Sequence, residues 1–216
     1  MSSPTFDNIP LQHRIVLNSS ALLLQSNFSG QFASETIERF LLESYDELTA
    51  RLTNDTYLPV FAERFARERL QALARVQGTD TDQTPIVLFL CTHNAGRSQM
   101  ALGYLKALSD GAITGWSGGS EPGSALNPTA VEAMAEVGID IREEFPKPWT
   151  DEIVRAADVV ITMGCGDACP VFPGKRYLDW TLDDPAGQDL ATVRRIRDEI
   201  KMQVEQLIKE LTPVNR

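Results

Sequence analysis

Residues 86–90 read Ile-Val-Leu-Phe-Leu, an unbroken apolar run bounded by Pro85 and closed by Cys91. Successive side chains of an extended segment point to opposite faces, so a run without alternation needs both faces buried. A parallel sheet covered by helices meets that need. The residues that follow agree. Thr-His-Asn-Ala-Gly leads to Arg97 and Ser98, and a helical pattern continues to Leu108. A short loop between a buried strand and a helix start turns free backbone N–H groups inward, which makes a cradle for a tetrahedral oxyanion. Arg97 adds a planar fork that can grip two of the anion's oxygens. The same positive field favours the thiolate of Cys91, which makes it a candidate nucleophile beneath the bound anion.

A lone cysteine closing a buried strand is commonly just a small apolar residue. The spacing Cys-x5-Arg-Ser, with a strand before it and a helix after it, sets a nucleophile, an anion clamp and a hydroxyl at fixed offsets. Ser98 is placed to hydrogen-bond the Cys91 sulfur and favour its thiolate. Asn94 suits a left-handed loop position. Thr92, His93, Ala95 and Gly96 complete the cradle. His93 reads either as a base or as a loop histidine turned to solvent.

From residue 85 onward strand and helix patterns alternate. Further strands are expected at 113–117, 159–163 and 176–180, and helices at 128–137, 151–157 and 189–211. Asn127 before Pro128 reads as a helix N-cap, Gly138 as a stop and Thr150 as the cap of the short helix. Ligands of such sheets bind beyond the carboxyl ends of the strands. Cys91 follows the first strand, Cys165 the third and Asp184 the fourth, so all three belong at one end. Asp184, in Leu-Asp-Asp-Pro-Ala-Gly, is a general-acid candidate, and Asp183 is more simply a turn residue.

The first eighty residues read differently. Helices are expected at 11–25, 34–52 and 58–76, with Ser34 as an N-cap and Pro59 in a first turn. Ile37, Phe40, Leu41, Tyr45 and Leu48 lie at helical spacing. An all-α three-helix bundle over residues 1–80 therefore precedes an α/β domain over 84–216, with the boundary in the polar stretch Gly78–Thr84.

Three cysteines, Cys91, Cys165 and Cys169, stand in a chain of 216 residues with no basic, apolar leader pattern at its start. A cytoplasmic location, where thiols stay reduced, is expected. A net charge of −10 argues against nucleic acid and anionic membranes as partners, and no apolar run is long enough to span a bilayer. Cys165 and Cys169 sit in Met-Gly-Cys-Gly-Asp-Ala-Cys-Pro, rich in turn formers. Cys-x3-Cys is half of a zinc site, but His13 and His93 are the only histidines and Cys91 serves the anion loop, so no metal is expected. A redox pair remains.

Taken together, Cys91-Thr-His-Asn-Ala-Gly-Arg97-Ser98-Gln-Met-Ala and Asp184-Pro185 resemble the low-molecular-weight tyrosine phosphatases, and among them most closely the arsenate reductases. The resemblance spans about residues 84–211. It implies a four-stranded parallel sheet flanked by helices, no cofactor, and reduction of arsenate to arsenite. By that likeness Cys91 attacks arsenate held by residues 92–98, Asp184 protonates the departing oxygen, Cys165 attacks the Cys91 sulfur, and Cys169 resolves the disulfide. Thioredoxin is the implied reductant. The N-terminal helices lie outside the resemblance and have three candidate roles: the seam of a homodimer, a shield for the site, or added stability. In some relatives the residue matching Asn94 joins an acidic residue in holding a monovalent cation, and Leu102 stands at that acid's position. Two other activities share the loop: a phosphotyrosine phosphatase, and an arsenate transferase that uses mycothiol in place of Cys165. Phosphatases of this type tend to carry aromatic residues after the Asp-Pro, where this chain has Ala186-Gly187.

Overall fold

The computed structural model describes residues 9–53, 55–164 and 171–212. The chain divides into two compact units, Met1–Thr81 and Asp82–Arg216.

The first unit holds α1 (Leu11–Asn27), α2 (Ser34–Thr49) and α3 (Leu58–Gln77), each packed on the other two. Leu17 and Leu24 of α1, Ile37, Leu41 and Leu48 of α2, and Phe65 and Leu70 of α3 form its core. The helices α2 and α3 are amphipathic in the ordinary way. By contrast, α1 is apolar on two sides. Opposite its buried Leu17 and Leu24, it exposes Leu11 (64 %), Ile15 (60 %) and Leu22 (68 %). Offsets of four and eleven residues place these three on one stripe. Ser34 is the first helical residue of α2 rather than its cap. Ala33 takes the cap position, and no side chain bonds the helix start. The extended backbone at Ala33 lets the helix begin one residue earlier than a serine cap would.

The second unit alternates as β1 (Ile86–Cys91), α4 (Arg97–Leu108), β2 (Thr114–Gly119), α5 (Pro128–Ala135), α6 (Asp151–Ala156), β3 (Val159–Thr162), β4 (Arg176–Asp179) and α7 (Leu190–Leu211). All pairings are parallel and the strand order is β2-β1-β3-β4. The apolar run thus lies at the centre of the sheet, buried along its whole length. Val87, Phe89 and Cys91 point to one face and join a core with Met100 and Leu105 of α4 and Val193, Ile196 and Ile200 of α7. Asn127 caps α5, its side chain accepting from the N–H groups of Thr129 and Ala130. Asp189 caps α7 through Thr192. Thr150 stands at the N-cap of α6 but makes no side-chain bond there, because its Oγ1 is turned into the protein. No helix of the described residues is long and apolar enough to cross a membrane.

Candidate active site

Because β1 is central, its carboxyl end delivers Cys91 to the middle of one sheet edge. Four carbonyls of the loop beyond it are engaged by backbone N–H groups of neighbouring segments. Thr92 O accepts from Glu121 N (2.8 Å), His93 O from Gly123 N (2.9 Å), Ala95 O from Asn127 N (2.9 Å) and Gly96 O from Met100 N (2.9 Å). The loop leads into an α4 start that no side chain caps. Such an arrangement suits an anion.

The pocket is lined by Cys91, His93, Ala95, Gly96, Arg97, Asn127, Asp184, Pro185 and Ala186. Its cavity of about 40 Å³ has the scale of a few water-sized spheres, which fits the head of a tetrahedral oxyanion. Arg97 is buried, and its Nη2 donates to Asp184 Oδ2 at 2.8 Å. A second guanidinium nitrogen, Nη1, donates to Leu182 O at 3.4 Å. Asp184 is half exposed, and its other oxygen accepts from Ala186 N at 3.0 Å. The acid loop lies directly on the cradle: a methyl group on Gly96 would come within 2.7 Å of Pro185 Cγ. Asn127 braces this contact, since its Nδ2 donates to Pro185 O at 3.1 Å.

Beneath the loop, Ser98 Oγ lies 3.0 Å from Cys91 Sγ. Asn94 holds φ at 47°, the left-handed position expected of it, and its Nδ2 donates to Ser98 Oγ at 2.9 Å. Asn94 and Ser98 are fully buried and take no part in lining the pocket. Thr92 Oγ1 donates to Gly164 O at 3.0 Å, away from the cavity. The His93 ring is exposed and its Nδ1 meets Glu121 O at 3.0 Å, which is the solvent-facing arrangement. Leu102 is buried, and its Cδ1 would lie 2.8 Å from a methyl on Gly115. That position offers apolar packing where the resemblance would call for an acid, so these residues do not supply that donor set for a monovalent cation.

Cys165 and Cys169 lie outside the described residues. Gly164, just before them, has φ +77°, and a methyl on it would meet Arg97 Nη1 at 3.0 Å. Beyond them, Phe172 donates its N–H to the Tyr177 hydroxyl (2.9 Å) and lies against Arg155, 4.7 Å from its ring centroid.

Sequence reasoning passed over Gln99, Lys147 and the bracing role of Asn127. Gln99 bonds Asn94 and Phe145. Lys147 is buried with its Nζ 4.8 Å from the Phe145 ring centroid, and its backbone N–H donates to Asn94 Oδ1 at 3.0 Å. Gln99 had a sequence signal, as an amide directly before the apolar stretch 100–105.

Comparison with known proteins places these features. Residues 86–215 match the low molecular weight phosphotyrosine protein phosphatase family, and residues 17–74 match the protein-tyrosine-phosphatase-like N-terminal domain. A curated relative, arsenate reductase 1 of Staphylococcus epidermidis, is 41% identical over 127 residues, covering 57% of this chain and 95% of that protein. The solved structure of a thioredoxin-dependent arsenate reductase of Corynebacterium glutamicum superposes with a TM-score of 0.82 at 43% identity, covering 92% of this chain and 98% of the other. A structure of an arsenate reductase in the phosphate binding state is 38% identical, with a TM-score of 0.52 over 59% of this chain and 99% of the other. With a family match over the whole α/β unit and a like structure spanning both units, the chain belongs to the low-molecular-weight phosphotyrosine protein phosphatase family.

Proposed function

We propose that the chain reduces arsenate to arsenite through a thiol relay. The observation that carries this reading is the convergence of Cys91, Arg97 and Asp184 on one small pocket, with Gly164, the residue before Cys165, close against the Arg97 guanidinium. Similarity to named arsenate reductases supports it.

Arsenate enters the cradle and takes the Arg97 fork from Asp184. The Cys91 thiolate attacks arsenic, and Asp184 protonates the departing oxygen, which leaves as water. Cys165 then attacks the Cys91 sulfur. The electron pair of the sulfur–arsenic bond stays on arsenic, which leaves as arsenite. Cys169 attacks Cys165 and frees Cys91, so the oxidised product is a Cys165–Cys169 disulfide. Thioredoxin, by thiolate attack on that disulfide, closes the cycle. Residues 1–80 contribute no group to this chemistry in our reading, and the apolar stripe of Leu11, Ile15 and Leu22 is the seam of a homodimer.

The test is arsenite production with thioredoxin and its reductase, set beside mycothiol with a glutaredoxin-like partner. Under arsenate without reductant, wild type is expected to accumulate Cys165–Cys169, and Cys169→Ser to trap Cys91–Cys165. Normal turnover of both Cys165→Ser and Cys169→Ser with mycothiol would establish the transferase instead. A phosphatase would use the same three pocket residues. Against it, Pro185 and Ala186 line the mouth where an aryl ring would need an aromatic platform.

A further inference from the structure

Gln99 is fully buried and is not among the residues that line the pocket. Its Nε2 lies 3.0 Å from Asn94 O, 3.1 Å from Asn94 Oδ1 and 3.1 Å from Phe145 O. Three acceptors surround one amide nitrogen, which fixes the orientation of the amide: the reverse would set oxygen against three oxygens. Two of the three belong to Asn94. Gln99 therefore grips that residue at its main chain and its side chain together, while it stands in the left-handed region.

The grip has a direction. Asn94 Oδ1 is committed to Gln99 and to the Lys147 N–H. Its Nδ2 is thereby turned to Ser98 Oγ, 2.9 Å away. Ser98 Oγ accepts that bond, which leaves its own proton for Cys91 Sγ at 3.0 Å. A donor held on the sulfur favours the thiolate.

We propose that Gln99 is a positioning residue for Cys91: by holding Asn94 it sets the Ser98 hydroxyl to donate to the nucleophile. The inference rests on Cys91 as the nucleophile of the proposed function, but its test needs no arsenate. The probe is iodoacetamide at neutral pH on the full chain, with alkylation of the Cys91 peptide followed by mass spectrometry, with and without inorganic phosphate. Gln99→Met removes the donor at similar size and is expected to slow Cys91 alkylation about tenfold, the scale of one charge-assisted hydrogen bond. Gln99→Glu keeps the shape but turns a carboxylate on three acceptors, and is expected to slow it further. It also serves where the methionine variant does not fold. Asn94→Asp keeps the acceptor for Gln99 and loses the donor to Ser98, so it should match Gln99→Met, and the double variant should be little slower than either single one. Unchanged alkylation in the folded Gln99 variants overturns the proposal. So do losses that multiply in the double variant, as two independent packing defects would. Should wild type make no arsenite while these rates fall as expected, the arsenate reading fails and the role of Gln99 stands.

Discussion

In the helical unit, buried and half-buried polar groups pair with one another. His13 Nδ1 meets the Tyr45 hydroxyl at 2.8 Å, and Arg69 lies over the Phe40 ring while bonding Glu43 and Ser44. In the α/β unit, they are arranged in a gradient towards a cavity: Gln99 and Lys147 at the back, Asn94 and Ser98 between, Cys91 and Arg97 at the wall. Buried polar groups need partners in either case. The difference lies in where the groups lead. In the first set each named group meets another side chain of the same unit. The second brings a sulfur and a guanidinium, each already partnered, to the wall of a space of oxyanion size.

This contrast can be broken by substitution. The largest effect is expected of Cys91→Ser, which should abolish arsenate reduction, since a neutral hydroxyl is a far weaker nucleophile than a thiolate. Arg97→Lys should come close to it, because a point charge cannot replace a bidentate fork. Near-normal arsenite production in either would remove the cavity from the chemistry.

Next is removal of the helical unit. The fragment 82–216 is expected to fold, to lose the proposed dimer and to keep hydrolysis of a small aryl phosphate. Sedimentation and a chromogenic phosphate ester report both. A folded but inert fragment would show that the helices complete the site. Smaller still, Tyr45→Phe strips His13 of its partner and should lower stability by about 1–2 kcal/mol, read as a lower Tm with arsenate turnover unchanged. A fall in turnover would join the two units functionally. The smallest effect belongs to the outer scaffold of the α/β unit. Hydrogen bonding from Arg194 holds the Glu136 carboxyl below its ordinary pKa. A depressed carboxylate stabilises above its unfolded pKa and loses that contribution as pH falls through the folded one. Glu136→Gln should therefore lower Tm slightly near neutral pH, with the gap to wild type closing in acid. A gap that widens in acid would reverse the assignment.

Much of this was legible in the sequence because it was local. The unalternated run at 86–90 required a doubly covered strand, and Asn127-Pro128 and Gly138 bounded a helix. The pairing of Cys91 with Ser98 follows from a loop too short to separate them. Other features depend on segments far apart in the chain. Ser34 and Thr150 are good capping residues by type, but their caps were decided by the backbone before α2 and by the turn of the Thr150 side chain into the protein. Gln99 reaches Phe145 across 46 positions and Arg97 reaches Asp184 across 87. No spacing rule covers such distances. The exposed stripe of α1 has the opposite cause: an apolar residue gives the same signal whether it faces a core or solvent.

The Arg97–Asp184 ion pair has a consequence for selectivity. The clamp already holds a carboxylate at 2.8 Å, so an incoming oxyanion competes with an internal ligand tethered by the chain itself. Its net affinity is the difference between two charge-assisted interactions. A singly charged, planar anion gains little from the exchange, because it offers Arg97 no more than Asp184 does. A tetrahedral dianion brings additional oxygens for the N–H groups of the loop as well as the fork. The pocket thus compares each visitor with a built-in reference anion, and in the proposed reaction the same displacement frees the Asp184 carboxylate to take up the proton that it passes to the departing oxygen.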